Sequence, residues 1–275
     1  MELFAVTIAT IGAVSALKRY RRPHIELEHR SKVISALLPQ LTLLRKGYSP
    51  PALLPTGIGQ SFAAIYYAPS PAPTYRRQQI ELPELDFRRR RFWPGRAKTA
   101  CCPETVPAGV VTLDWLDVPD ASAPIVLLVP GLTGSSGEAY IQRAALGLHS
   151  AGMRVAVFNP RSRGGVELST PFLYSAGYTE DLRRVVEVLA SGFLRAPLLA
   201  AGYSLGSSYL LKYCCEEADR CILRGVALFG CPVDLERTGA HLDSSAVGRL
   251  VNPTLVRCGP TQGGCVKLEP ARESF

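Results

Sequence analysis

From residue 124 onward, apolar and polar positions fall into regular blocks. Residues 125–129 (Ile-Val-Leu-Leu-Val) are a continuous apolar run bounded by prolines. Such a run marks a strand buried on both faces. Residues 139–151 carry helical periodicity and stop at Gly152, a C-terminal cap. A second apolar strand follows at 153–158. Thr179-Glu180-Asp181-Leu182 opens the next helix, with Thr179 in the N-cap position and two acids in the first turn. Residues 198–201, 207–217 and 225–229 repeat the strand, helix, strand order. This alternation predicts an α/β domain with a mostly parallel sheet and helices on both faces. Upstream, residues 75–82 and 110–115 have strand-like polarity. They are expected to pair antiparallel as edge elements at the start of the domain.

The chain before residue 75 reads differently. Residues 3–17 are apolar apart from Thr7, Thr10 and Ser15, and Lys18-Arg19-Tyr20-Arg21-Arg22 follows at once. Fifteen helical residues reach about 22 Å, short of a ~30 Å hydrocarbon core. Snorkelling Lys18 and Arg19 and an interfacial Tyr20 extend that reach. A cleaved signal normally has its basic residues first, whereas here they come after the apolar run. The pattern favours an N-terminal membrane anchor with the rest of the chain on the cytosolic side. Val14-Ser15-Ala16 keeps a cleaved signal open, and an interfacial helix is the third option. Residues 23–74 are a proline-punctuated extension with loop chemistry around Tyr48-Ser49-Pro50-Pro51.

Charge sharpens this division. The net charge of the 275 residues is +8, but residues 1–100 hold 16 Lys and Arg against 6 Asp and Glu. The basic excess therefore belongs to the N-terminal third, a pattern suited to an anionic surface. Its densest part is Arg88-Arg89-Arg90-Arg91-Phe92-Trp93 within residues 86–109, an apparent insertion. Such a tract serves as a solvated hairpin, a contact for anionic lipid or a platform for single-stranded nucleic acid. No nucleic-acid-binding fold signature accompanies it. The eight cysteines include no C-x-x-C, and no Cys/His spacing matches a zinc site. They read as reduced thiols of a cytosolic protein.

The candidate chemistry sits between the third regular strand and its helix. Gly202-Tyr203-Ser204-Leu205-Gly206 is G-x-S-x-G in a strand, turn, helix context. The flanking glycines leave room for a serine held at a strained backbone position. The loop after residue 129 is Pro130-Gly131-Leu132-Thr133-Gly134-Ser135-Ser136.

Six blocks in order resemble the α/β-hydrolases of the AB-hydrolase type-4 group. This group includes membrane-anchored medium-chain esterases and phospholipases and the bacterial YheT-type hydrolases. The blocks are Tyr75-Arg76-Arg77, Leu113-Asp114-Trp115, Pro130 to Ser136, Val157-Phe158-Asn159-Pro160-Arg161, Thr179 to Leu182, and the elbow. The resemblance implies a membrane-associated hydrolase of acyl or lipid esters that needs no metal or cofactor. It makes Ser204 the nucleophile. It assigns the oxyanion hole to the backbone N–H groups of Leu205 and Leu132, with Gly131 shaping the loop. Departures are Pro130 where many members have His, and Pro160-Arg161-Ser162 where the usual order is Asn-Arg-Gly.

The partners of Ser204 are harder to find. In this fold the acid and the histidine follow the serine along the chain. Only 71 residues follow Ser204, and His241 is the only later histidine, with Asp234 and Asp243 near it. His241 lies 12 residues past Phe229, where the resembling proteins place a cap segment. It is a candidate base by residue type and a cap-helix histidine by position. Residues 253–275 read as an irregular tail. The expected organisation is an anchor at 1–22, an extension at 23–74, and a partial hydrolase domain at 75–252. The last strands and the triad-bearing C-terminal part are expected to be missing. Competing expectations are a catalytically silent hydrolase homologue and a basic membrane-associated interaction protein.

Overall fold

A computed structural model describes residues 32–40, 60, 71–86, 105–167, 170, 172–174, 177–245 and 248–249. The expected anchor at residues 1–22, most of the basic tract and the expected tail at 253–275 lie outside these. The chain divides into two units, Met1–Tyr67 and Ala68–Phe275. In the first, the described structure is helix α1 (Lys32–Leu37) running into a 3₁₀ turn at Leu38–Gln40. Among the described residues, no helix is long and apolar enough to cross a membrane.

The second unit is built on a six-stranded sheet. Its strands are β1 (Arg76–Leu82), β4 (Gly109–Leu116), β5 (Ile125–Val129), β6 (Arg154–Asn159), β7 (Leu198–Tyr203) and β8 (Gly225–Phe229). The spatial order is β1-β4-β6-β5-β7-β8. β6, β5, β7 and β8 run parallel, while β4 is antiparallel to both β1 and β6. The expected pairing of the first two strands is present, with Ile80 opposite Val111. β4, however, is interior rather than an edge. Its residues 111–116 are buried, which suits a strand with neighbours on both sides. β2 (Leu85–Asp86) and β3 (Thr105–Val106) pair in a two-residue ribbon, so the chain leaves and returns at one place around the basic insertion.

Side-chain alternation on the fully buried β5 divides the core. Ile125, Leu127 and Val129 face the larger cluster, which includes Leu182, Val185, Val186 and Leu189 of α3 (Glu180–Gly192). Tyr209, Leu210 and Tyr213 of α4 (Leu205–Glu217) complete that layer. Val126 and Leu128 face the opposite way, against Ile141 and Ala145 of α2 (Ala139–Ser150). The sheet thus has helices on both faces, as its continuous apolar strands require. β8 pairs with β7 alone among the described residues, and Val226, Leu228 and Phe229 on it are exposed. A last helix, α5 (Leu235–Ser244), has no buried residue.

Two residues at the start of α3 depart from simple capping. Thr179 holds the N-cap position of α3, but at φ −103 and ψ −2 its side chain makes no cap. Its hydroxyl donates to Glu216 of α4 instead. Asp181, expected to serve the helix dipole, turns inward to Arg161. The pair is bidentate at 2.8 and 3.1 Å, and the two side chains are 3% and 1% exposed. Burial pushes the Asp181 carboxyl up, and the guanidinium offsets only part of that. Arg161 Nη1 also donates to the Pro107 carbonyl at 3.0 Å, so the pair ties α3 to the start of β4.

Removing one member of a buried pair strands the other charge. Asp181→Asn is therefore expected to lower unfolding free energy by about 3–5 kcal/mol in urea titrations. An Arg161→Met, Asp181→Leu double replacement should lose far less.

Candidate active site

Ser204 stands between the end of β7 and the start of α4 at φ 52 and ψ −120, a region L-residues rarely occupy. Its N–H donates to the Phe229 carbonyl of β8 at 2.8 Å. Its carbonyl accepts from the Ser207 N–H at 2.9 Å, closing the turn. The side chain is exposed, and Oγ has no hydrogen-bond partner among the described residues. Ser207 locks the turn from below, with Oγ 3.0 Å from the Phe229 carbonyl and 3.1 Å from its N–H.

The two elbow glycines are required by close approach. A Cβ on Gly202 would sit 2.7 Å from the Ser207 Cα. One on Gly206 would sit 2.3 Å from the Pro130 carbonyl oxygen and 2.4 Å from that of Val129. These obstacles are backbone, so neither position can take a side chain without moving β5 or α4. α4 consequently starts at Leu205, two residues before the periodicity suggested.

The predicted oxyanion loop lies against the elbow. A Cβ on Gly131 would meet the Ser204 Cβ at 3.2 Å. The Gly131 N–H donates to Tyr140 Oη at 3.0 Å, and its carbonyl accepts from the Gly134 N–H at 3.0 Å and Tyr174 Oη at 3.3 Å. Burial raises the Tyr140 phenol to about 12, so it stays protonated at neutral pH. Leu132 is 45% exposed. The N–H groups of Leu132 and Leu205 have no hydrogen-bond partner among the described residues. The structure thus brings Ser204, Leu205, Leu132 and the three glycines together.

His241 does not join them. It sits in the last turn of the exposed α5 and makes no hydrogen bond to Ser204 among the described residues. Asp234 is occupied otherwise: its carboxylate caps α5 by accepting from the Arg237 N–H at 2.9 Å. An Asp at the N-cap position with Glu236 in the first turn is a helix start, so Asp234 serves α5 itself.

Sequence reasoning missed a buried polar cluster behind the loop. Asp114 on β4 is 1% exposed and accepts from Arg77 Nε and Nη2, both at 2.7 Å. It also accepts from Ser136 Oγ and, at 2.8 Å, from Asn159 Nδ2. Asn159 Oδ1 in turn accepts the Ser136 N–H at 2.8 Å. Burial pushes the Asp114 carboxyl up, but the bonds from Arg77, Ser136 and Asn159 outweigh it and hold the group below its ordinary value. All four residues lie in blocks noted for their resemblance. The available signal was that polar residues interrupt otherwise apolar strands at Asp114 and Asn159.

The strand order, with helices on both faces and a serine elbow at the carboxyl end of an interior parallel strand, is that of the α/β-hydrolase fold. Sequence comparison agrees. The chain is 36% identical over 159 residues to human phospholipase ABHD3, covering 50% of this chain and 39% of that protein. It is 34% identical over 155 residues to embryogenesis-associated protein EMB8 of Picea glauca, covering 53% and 34%. With the monoacylglycerol lipase of Saccharomyces cerevisiae it shares 30% over 138 residues, covering 50% and 31%. The chain therefore spans well under half the length of these three relatives. No protein-family model matches it. Among solved structures, the Pyrococcus furiosus esterase Pf2001 aligns with a TM-score of 0.44 and 18% identity, covering 66% of this chain and 63% of that one.

Holding a serine at positive φ costs of order 1–3 kcal/mol. Ser204→Gly relieves that strain and is expected to raise the unfolding temperature by roughly 2–4 °C in calorimetry. Gly206→Ala should lower it.

Proposed function

We propose that this chain is a serine hydrolase for carboxylic esters of fatty acyl or other lipid groups, with Ser204 as its nucleophile. The observation that carries this is the pairing at Ser204. An exposed serine at strained φ packs against Gly131, and the N–H groups of the residues that follow each of them, Leu205 and Leu132, are free among the described residues. In the proposed reaction, Ser204 Oγ adds to the ester carbonyl as a general base takes its proton. The two N–H groups hold the oxyanion, the alcohol leaves with that proton, and water hydrolyses the acyl-serine. Exposed Leu132 and Phe229 flank the elbow, and Val233 and Leu235 follow β8, giving apolar surface suited to an acyl chain. Relatives named as phospholipase, monoacylglycerol lipase and medium-chain fatty acid ethyl ester synthase/esterase support this substrate class.

A second reading is a hydrolase fold that binds acyl groups without turnover. It is favoured by the position of His241 on α5, with no bond to Ser204, and by the use of Asp234 as a cap. One pair of measurements separates the two. The purified chain is treated with a fluorophosphonate probe and with a medium-chain p-nitrophenyl ester. Labelling and turnover that vanish in Ser204→Ala are expected for the hydrolase. Lack of both in a folded sample selects the silent reading.

We also propose that residues 1–22 anchor the chain in a membrane with the hydrolase domain on the cytosolic side. The support is the apolar run followed by Lys18, Arg19, Arg21 and Arg22. The expressed chain should stay in the membrane pellet after alkaline carbonate extraction, and a form lacking residues 1–22 should move largely to the supernatant.

A further inference from the structure

We infer that Asp114 is a positioning residue for the oxyanion loop, acting through Ser136 and Asn159. This rests on the proposed role of Ser204 as nucleophile.

The loop needs external support. Gly131 of the 130–136 loop lies against Ser204, and Thr133 in the same loop sits at φ 63, an uncommon conformation for a β-branched residue. A segment in a costly conformation keeps it only when its surroundings over-determine it. Near the elbow, the loop is held by Gly131 through Tyr140 and Tyr174. At the far end, Ser136 is held twice. Its N–H donates to Asn159 Oδ1, and its hydroxyl donates to Asp114. Both acceptors are themselves fixed. Asn159 is fully buried, and its Nδ2 donates to Asp114 and, at 3.2 Å, to Thr112 Oγ1. A Cβ on Gly164 would lie 2.6 Å from the Asn159 amide, so the loop after β6 closes tightly over this side chain.

Asp114 is the hub of these bonds. Its Oδ2 receives Arg77, Ser136 and Asn159, and its Oδ1 receives Arg77. Hydrogen bonds to an ionised carboxylate are shorter and stronger than neutral ones. A buried charge is weak evidence for stability, because an apolar replacement often does as well. Its distinct contribution here is geometric. It joins β1, β4 and β6 to one loop residue, so the position of the loop is referred to the rigid sheet. Displacement of an oxyanion donor by about 1 Å is enough to lose much of its benefit.

Ser136→Ala tests this directly, since it removes the hydroxyl arm and leaves the Arg77–Asp114–Asn159 bonds in place. Hydrogen exchange by mass spectrometry is followed in peptides spanning residues 130–137 for wild type, Ser136→Ala, Asp114→Asn and Ser136→Thr. Ester turnover and fluorophosphonate labelling are measured on the same samples. Faster exchange in the loop is expected for Ser136→Ala and Asp114→Asn, with β5 and β7 peptides unchanged. Turnover should fall roughly 10- to 100-fold in kcat with little change in KM. Ser136→Thr, which keeps the hydroxyl, should restore both. Loop exchange that stays at the wild-type rate in Ser136→Ala and Asp114→Asn overturns the inference. So does a loss carried by KM rather than kcat. Loop exchange that responds while wild-type Ser204 neither labels nor turns over supports the anchoring and instead removes the nucleophile assignment.

Discussion

The constraint on which the site depends is the contact of the first turn of α4 with the end of β5. Gly206 presses onto the Val129 and Pro130 carbonyls so tightly that no side chain fits. That contact fixes where α4 begins and forces Ser204 to positive φ. It also sets Ser204 against the loop that leaves β5. β8 is drawn into the same arrangement, because the Ser204 N–H and the Ser207 side chain both bond to Phe229. The strain at Ser204 is thus held by packing on three sides, and its hydroxyl projects from the sheet's carboxyl edge.

A second, polar scaffold backs this steric one. Asp114, Asn159 and Ser136 form a buried set whose hydrogen bonds run from the edge strand to the oxyanion loop. Arg161 and Asp181 do the same between α3 and the approach to β4. Asp114, Arg161 and Asp181 are desolvated and each is answered by a partner, so these groups specify geometry more than they add stability. The apolar layers hold the sheet and helices together, and the polar pairs fix the loops against them. The edge of β8 lacks such cover among the described residues. Val226, Leu228 and Phe229 stay exposed there, a surface that invites pairing with another strand.

The site itself is unevenly assembled. Nucleophile, loop and free N–H groups are in one place. The candidate base is not, since His241 rides on a helix with no buried residue. His241 matched by residue type and chain order alone. Its place on α5 follows from the helix start at Asp234, and no hydrogen bond links it to Ser204 among the described residues.

The sequence alone determined the alternation of strands and helices, because fully buried strands must be apolar and helices must carry periodic apolar faces. It also located the elbow, since a backbone packed that closely admits only glycine at its flanks. Interior placement of β4 was not legible, because an interior antiparallel strand and a half-covered edge strand share much of the same pattern. The hydroxyl of Thr179 and the carboxylate of Asp181 were read as helix-start chemistry, whereas neighbours distant in sequence, Glu216 and Arg161, claimed them. The same holds for Asp114, Ser136 and Asn159, polar residues separated by 22 and 23 positions along the chain. Only the folded sheet brings them within hydrogen-bonding distance. A hydrogen bond acts over about 3 Å, and which distant groups come that close is decided by tertiary packing.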